Sequence, residues 1–429
     1  MAGLPKHVYG DPPTNKIDMI FEKIRSNLSI HWQRNLYLIF LAQLITAVGF
    51  SSIFPFLPLY VKSLGSNTNL SVEFLSGMVY SAQAFTMMIA SPIWGALSDR
   101  FGRKVMVVRS SFGGALLLFL MAFVRSAEEL VLMRAIQGFI TGTVAAANAL
   151  VAAEAPREHT GYAMGMLQVG LGAGIALGPL IGGTIADLFG YRAAFYVTAA
   201  MLFLSSIIVW FGVEEKFDPT ELLAEDKISF FGEWQHILKA SGVFITYSLR
   251  FVSQLGRMMI TPIIPLFIMA LMPLTTHINT FTGLVIGVAS VTTTISAIYL
   301  GRLGDRIGHR RIVLVCMFVA ALLYLPQSLV NNGWQLFILQ GLVGIAMGGI
   351  IPAISALLAK FTQPGEEGAV YGLDNSVNSA ARTLAPLLGA SVAMWFDLRA
   401  TFIATAFLFL VSAVIVAWRL PQVNQNNTK

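Results

Sequence analysis

Long apolar runs alternate with short polar turns along almost the whole chain. A hydrocarbon core of about 30 Å needs roughly 20 residues of helix to cross it. On that rule the runs give about twelve spans, with approximate limits 36–62, 71–97, 105–124, 130–153, 163–187, 192–212, 243–270, 280–301, 311–330, 335–359, 369–395 and 399–419. Two of the turns carry one pattern. Gly95-Ala96-Leu97-Ser98-Asp99-Arg100-Phe101-Gly102-Arg103-Lys104 follows span 2, and Gly301-Arg302-Leu303-Gly304-Asp305-Arg306-Ile307-Gly308-His309-Arg310 follows span 8. A shift of 206 residues relates Asp99 to Asp305, Gly77 to Gly283 and Gly138 to Gly344, and 207 relates Arg192 to Arg399. Pro55-Phe56-Leu57-Pro58 in span 1 aligns in the same way with Pro262-Ile263-Ile264-Pro265 in span 7. Such agreement predicts two homologous six-span halves, with prolines breaking or kinking spans 1 and 7. The expected units are an N-terminal segment 1–35, a first bundle 36–212, a linker 213–242, a second bundle 243–419 and a tail 420–429.

Composition agrees with this pattern. Of 429 residues, 56% are hydrophobic and 12% charged, against roughly a quarter charged in soluble domains. The net charge of +6 is spread over short loops, which reads as topology and not as a nucleic-acid surface. Lys and Arg crowd one face: Lys16, Lys23, Arg25, Arg34, Arg100, Arg103, Lys104, Arg109, Arg157, Arg302, Arg306, Arg310, Arg311, Lys360 and Arg419 among others. The opposite face holds Lys62, Arg125, Arg192 and Arg399. The crowded face is therefore expected in the cytoplasm with both termini, in a cell's inner membrane. Ile17, Ile20, Phe21, Ile24 and Leu28 recur at helical spacing and predict an amphipathic surface helix. The lone Cys316 excludes a disulfide framework. The sequence shows no paired catalytic group, metal-ligand cluster, phosphate loop or cofactor motif, so neither an enzyme nor an ATP-driven pump is expected.

Over nearly its whole length the chain resembles the major facilitator superfamily, in its twelve-helix drug/proton antiporter branch. The turn Gly95 to Lys104 is similar to that family's loop 2–3 signature. Leu130 to Gly142, with Arg134, Gln137 and Gly138, is similar to its span 4 signature. Gly174-x-x-x-Gly178-Pro179-x-x-Gly182-Gly183 is similar to the span 5 signature of proton-driven exporters. Trp32 to Leu36 and Phe54 to Pro58 resemble bacterial multidrug efflux proteins. The resemblance implies an all-α fold of two pseudo-symmetric six-helix bundles and a cytoplasmic gate made by Gly95, Asp99, Arg100, Gly102, Arg103, Lys104 and Glu154, with Asp305 and Arg306 in the second half. It also implies that Asp99 faces the start of span 11 near Ala369, that Arg103 pairs with Glu154, and that the glycine stripe of span 5 lies where the halves meet.

Charges within spans supply the candidate cavity. An arginine deep in a span costs several kcal/mol unless paired or hydrated. Arg250 and Arg257 are seven residues apart and share a face of span 7; Asn375, Ser379 and Arg382 share one in span 11, beside Asp374 and Asn378. With Gln43 in span 1 and Arg134 in span 4, Arg250, Arg257, Asn375, Asn378 and Arg382 form the expected substrate cavity. The middle of the first half has no carboxylate, so the cavity should favour anionic or zwitterionic compounds. Asp99, Glu154 and Asp374 are the candidate proton sites. The expected function is export of a small amphipathic compound in exchange for protons, by a monomer whose partners are substrate, protons and lipid. The alternative is export of one anionic metabolite, such as a carboxylate siderophore; import of an organic anion is disfavoured by the span 5 signature.

Overall fold

The structure, a computed structural model, describes residues 31–156, 158–215, 242–361 and 367–420. The expected surface helix at 17–28 and most of the linker lie outside the described residues. Within the described residues the regular structure is helical. Span 1 runs His31–Ser52 and resumes as Leu57–Leu64. Spans 2 and 3 are Val72–Phe101 and Arg103–Met121. Span 4 is Ala127–Ile140 followed by Thr143–Glu154, and spans 5 and 6 are Thr160–Phe189 and Tyr191–Gly212. Span 7 is Val243–Met259 and Ile263–Leu271. Spans 8 to 12 are Ile278–Ile307, His309–Gln327, Gly333–Phe361, Glu367–Trp395 and Leu398–Arg419. Among the described residues, nine helices are long and apolar enough to cross a bilayer, counting the two pieces of span 7 as one.

The repeat read from the sequence recurs in the helix boundaries. A shift of 206 carries Val72–Phe101 onto Ile278–Ile307 and Arg103–Met121 onto His309–Gln327. Gly102 (φ 89°) and Gly308 (φ 97°) make the two charged turns in a backbone region that side-chain-bearing residues avoid. Spans 1 and 7 both break at their prolines, as expected, because proline cannot donate to the ladder. Close packing repeats too. A methyl group on Gly138 would strike the Gln83 carbonyl and Thr86 of span 2; one on Gly344 would strike Thr292 and the Ala289 carbonyl of span 8.

Span 4 departs from the expected continuous run. It breaks at Thr141, which is extended, and at Gly142 (φ 151°). Thr141 Oγ1 donates to the Gln137 carbonyl at 2.9 Å, and Trp94 Nε1 donates to the Phe139 carbonyl at 2.6 Å. Trp94 thereby serves a backbone acceptor beside the break in an apolar medium, while the Gln137 carbonyl also accepts from the Thr141 amide at 2.9 Å. The matching span 10 runs unbroken through Pro352.

The halves meet along two long seams, span 5 against span 8 and span 2 against span 11, with a smaller contact between Leu57–Leu64 of span 1 and Ile263–Leu271 of span 7. The first seam can be followed by its glycines. Gly183 lies on the Asn279 carbonyl, Gly283 on the Pro179 carbonyl, and a methyl on Gly287 would lie 3.3 Å from the Ala176 carbonyl. Beyond that, Gly172, Gly165 and Gly161 have nothing within 4 Å of such a methyl. In the second seam, methyl groups on Gly77 would sit 2.6 Å from Ala390 and 2.7 Å from the Pro386 carbonyl, whereas Gly95 and Gly372 have open space. Both seams are thus shut at the end away from the chain termini, here the distal end, and part towards the terminal end.

The glycine stripe of span 5 is mostly not where the resemblance put it. Gly170 faces Phe40, Gly174 faces Ala47 and Val48, Gly178 faces Ser51, and Gly182 faces Ser52, all of span 1 in the same half. Ser51 Oγ donates to the Gly174 carbonyl at 2.9 Å. Only Gly183 with Pro179 reaches span 8. A four-residue glycine period fits one neighbour, and that neighbour is span 1.

Two predictions follow from this packing. Gly178→Leu collides inside the first half, so it should lower thermal stability in detergent by about 1–3 kcal/mol or more; Gly183→Val collides only across the seam, so it should melt near wild type and widen the distal end in distance measurements. Separately, Glu128 at the distal surface accepts from Ser66 Oγ (2.7 Å), Thr68 Oγ1 (2.9 Å) and the amides of Asn67 (3.0 Å) and Thr68 (3.2 Å). The Ser66 hydrogen bond leads in drawing this carboxyl below its usual 4.5, to about 2. A depressed folded-state value means the tie is complete above about 4.5 and lost as pH falls towards about 2. Amide exchange at Asn67 and Thr68 should accelerate across that window and be pH-flat in Glu128→Gln once intrinsic exchange is divided out.

Candidate functional site

A cluster of charge sits where the two helices of one half, spans 7 and 11, face the gap between halves. Arg250 Nη2 lies 3.1 Å from Asp374 Oδ2, with both side chains largely shielded. Asn378 Nδ2 donates to the same oxygen at 3.1 Å, and Arg250 Nη1 lies 3.5 Å from the Ile351 carbonyl of span 10. One helical turn or two further in, Arg257 Nη2 donates to Gln254 Oε1 at 2.9 Å, while its Nε has no partner. Arg382 and Asn375 are exposed although they lie well within span 11. Arg382, Arg257 and Arg250 lie close enough for their like charges to act on one another. An exposed mid-span arginine next to two others cannot point into hydrocarbon, so it faces an aqueous recess. That recess opens with the parted seams towards the terminal end.

Span 7 can present these arginines because its apolar and polar positions are segregated round the helix. Tyr247, Leu249, Leu255 and Met259 are buried, while Arg250 and Arg257 stand together on another face. On span 11, Ala381 and Ala385 pack against Leu255 and Met259. These small residues bring the backbones close and leave the polar stripe of span 11 beside that of span 7.

The expected cavity residues in the first half are placed differently. Arg134 is 1% exposed and serves as an internal strut. Its guanidinium donates to the Val79 carbonyl (3.3 Å), to Gln137 Oε1 (2.6 Å) and to Gln83 Oε1, tying span 4 to span 2 through neutral acceptors. Gln43 is 2% exposed, and neither end of its amide has a partner. Neither residue stands in the open recess of this conformation. Asn378 is committed to Asp374, whereas Arg250, Arg257, Asn375 and Arg382 are gathered at the gap.

Among the described gate residues, the expected Arg103–Glu154 pair is not made in this conformation. Arg100 and Arg306 are exposed, and Asp305, also exposed, lies 3.3 Å from His309 within its own turn. The expected contact of Asp99 with the start of span 11 near Ala369 falls on side chains outside the described residues. Glu154 accepts from Asn35 Nδ2 at 2.6 Å and not from Arg103. The Arg103 side chain donates to the Ala149 carbonyl at 3.2 Å, and the backbone amides of Arg103 and Lys104 donate to the Glu215 carboxylate at 2.9 and 2.8 Å. Glu215 thus caps span 3, where the helix dipole favours an anion. Glu214 lies 2.9 Å from Arg34, whose hydrogen bond leads in holding that carboxyl below the usual range.

Several of these partners were not singled out from the sequence. Glu215 falls in the linker 213–242 of the sequence, and nothing there sets Gln83, Gln254 or Asp187 apart. The available signal was position: Glu215 follows the end of span 6, and Asp187 is an acid one turn before the Gly190 turn.

Twelve spans in two repeated halves, with clustered charge at the gap between them, define the architecture of a polytopic membrane transporter. The family model described as Major Facilitator Superfamily matches residues 39–252 and 246–429, and the chain belongs to that superfamily. It is 36% identical over 393 residues to the multidrug resistance protein MdtG of Enterobacter lignolyticus (strain SCF1), covering 91% of this chain and 93% of that protein. It is 35% identical over 387 residues to the protein of that name from Dickeya zeae (strain Ech586), covering 90% and 94%. Among solved structures, the nucleoside transporter NupG aligns with a TM-score of 0.75 at 12% identity, over 90% of this chain and 99% of that one, a likeness of fold.

The two classes of arginine should separate experimentally. Arg134→Ala leaves the acceptors of Gln83, Gln137 and Val79 unmet in a buried site and should cost on the order of 3 kcal/mol, read as early melting in detergent. Arg382→Gln should melt with the wild type and change transport. Equal melting of both variants would remove the distinction between strut and recess.

Proposed function

We propose that this multidrug-type transporter exports small amphipathic compounds from the cytoplasm in exchange for protons, by alternating access. The observation that carries the reading is the recess closed at its distal end and open at the terminal end, with Arg250, Arg257, Arg382 and Asp374 at the gap. The excess of Lys and Arg on the terminal face favours a cytoplasmic location for it in a bacterial inner membrane. The recess would then load from inside the cell. Curated relatives that are named multidrug resistance proteins support the substrate class.

Exchange requires proton and substrate to exclude each other. Asp374 offers a way to do so: a cationic group of a zwitterionic substrate competes with a proton for this carboxylate, while the anionic group is met by Arg382 and Arg257. A second reading, export of a purely anionic metabolite, is favoured by the three clustered arginines. It makes a different demand, because protonating Asp374 would free Arg250 and strengthen anion binding. Exchange would then need the proton to act elsewhere, with Asp99 and Glu154 as the remaining candidates.

Purified protein in proteoliposomes under an imposed pH gradient, given cationic, zwitterionic and anionic amphiphiles side by side, tests both. The expected result is gradient-driven movement of zwitterions, with protons released on binding at fixed pH and no release in Asp374→Asn. Movement indifferent to the gradient would sink the antiport reading. Preference for anions, with proton release that persists in Asp374→Asn, would replace the first reading by the second.

A further inference from the structure

The shut end of the molecule holds a carboxylate that the transport reading above does not use. Asp187 stands near the end of span 5, in the first half. Its Oδ1 accepts from Asn279 Nδ2 at 2.6 Å and from the Asn279 amide at 3.2 Å; its Oδ2 accepts from Thr280 Oγ1 at 2.6 Å and from the Thr280 amide at 2.7 Å. All four donors belong to the first turn of span 8, in the other half. The carboxylate therefore caps a 30-residue helix across the seam, where two free amides and the helix dipole both favour negative charge. Directly beneath it, Gly183 and Gly283 bring the two backbones into contact. Above it lies a cleft of about 410 Å³, lined by Leu59, Lys62, Tyr191, Met269, Asn279 and Asp187 itself. The cleft gives solvent at the distal face a route to the carboxylate.

We propose that Asp187 is the latch of the distal gate and that a proton arriving through this cleft releases it. Charge-assisted hydrogen bonds are about twice as strong as neutral ones. A proton on Asp187 removes the charge from all four and turns one oxygen into a donor facing donors. The charged and titratable neighbours are Lys62 from span 1, Tyr191 at the start of span 6, and the exposed His277 just ahead of span 8. Lys62 Nζ is directed at Met269 Sδ, 3.6 Å away, and the four hydrogen bonds to Asp187 come from span 8. Among the described residues the distal end of the second seam shows no matching carboxylate cap. The positions 206 residues from Asp187 and Asn279 are Ala393 and Glu73, and Gly77 there meets Pro386 and Ala390 through backbone and methyl groups alone. Loss of one carboxylate's charge thus weakens all four of these hydrogen bonds across one of the two long seams.

This inference rests on the two-ended exchange proposed above, but its test needs no substrate. Spin labels are placed on cysteines at Asn69 and Leu274, in the distal loops of opposite halves, in a chain whose buried Cys316 is replaced by Ser. Distances are measured in lipid nanodiscs from neutral to acid pH. Wild type is expected to shift from a short to a longer distance as pH falls. Asp187→Asn should show the long population at every pH, and Asp187→Glu should restore the response. Thr280→Val keeps the charge and removes one donor, so it should move the wild-type transition towards neutral pH, and it serves if Asp187→Asn does not fold. Superimposable distributions for wild type and these variants, or an unchanged pH response in Asp187→Asn, would overturn the latch. A responsive distance in a protein that moves no compound would sink the export reading and leave the latch standing.

Discussion

Everything in this architecture depends on helices touching backbone to backbone. Lipid is as apolar as leucine, so burying leucine between helices gains little in a membrane, and cohesion comes from close packing and internal hydrogen bonds. Glycine permits that approach. Gly174, Gly178 and Gly182 seat span 5 on span 1; Gly138 and Gly344 seat spans 4 and 10 on spans 2 and 8; Gly183, Gly283 and Gly77 join the halves. Contacts between the halves run along spans 5 and 8 and along spans 2 and 11, and glycine backbones meet at their distal ends. Among the described residues each half keeps its own buried apolar clusters, and none is shared between the halves. On the exchange proposed above, the halves would move as units without repacking either core.

Much of this was readable in the chain. Apolar run length gave the spans, and the constant shift gave the two halves, down to helices whose limits match residue for residue. The polar stripes of spans 7 and 11 were readable because arginine in a span has few tolerable places to be. What could not be read was direction. A glycine stripe says that some helix approaches closely, not which one, and span 5 chose span 1 over the other half. Arg134 looked like a cavity residue because the sequence shows its charge but not Gln83, 51 positions away, which closes around it. The break in span 4 was equally hidden. Thr141-Gly142 is an ordinary pair within a run of small residues until Trp94, from another span, takes the neighbouring carbonyl.

The expected Arg103–Glu154 contact, a bond of the shut gate, is not made in this conformation, which is open at the terminal end. Two charges at matching depth need not meet when each has a better local partner. Asn35 reaches Glu154 from span 1, and Glu215 offers the start of span 3 a bidentate cap that no side chain of span 4 could supply. The terminal end of the first half is thereby stitched to itself, through spans 1, 3, 4 and the end of span 6. Parting the seams there costs none of these bonds.

The repeat also shows which features the two halves hold in common and which they do not. Backbone-fitting glycines agree at the 206 shift, because packing demands are the same in both halves. Polar chemistry does not agree. Arg250 and Arg257 correspond to Leu44 and Ser51, Asp374 to Gln168, and Arg134 to Gln340. Gln340 is itself bound to Gln327 at 3.0 Å, so the second half fills the place of a buried cation with a neutral amide pair. The clustered charge of the recess thus comes from the second half alone, while the first half supplies the flat glycine surface of Gly183 on which the distal seam closes. On the reading proposed above, a change in the recess would alter what is bound without touching Gly183, Gly283 or Gly77, where the halves meet.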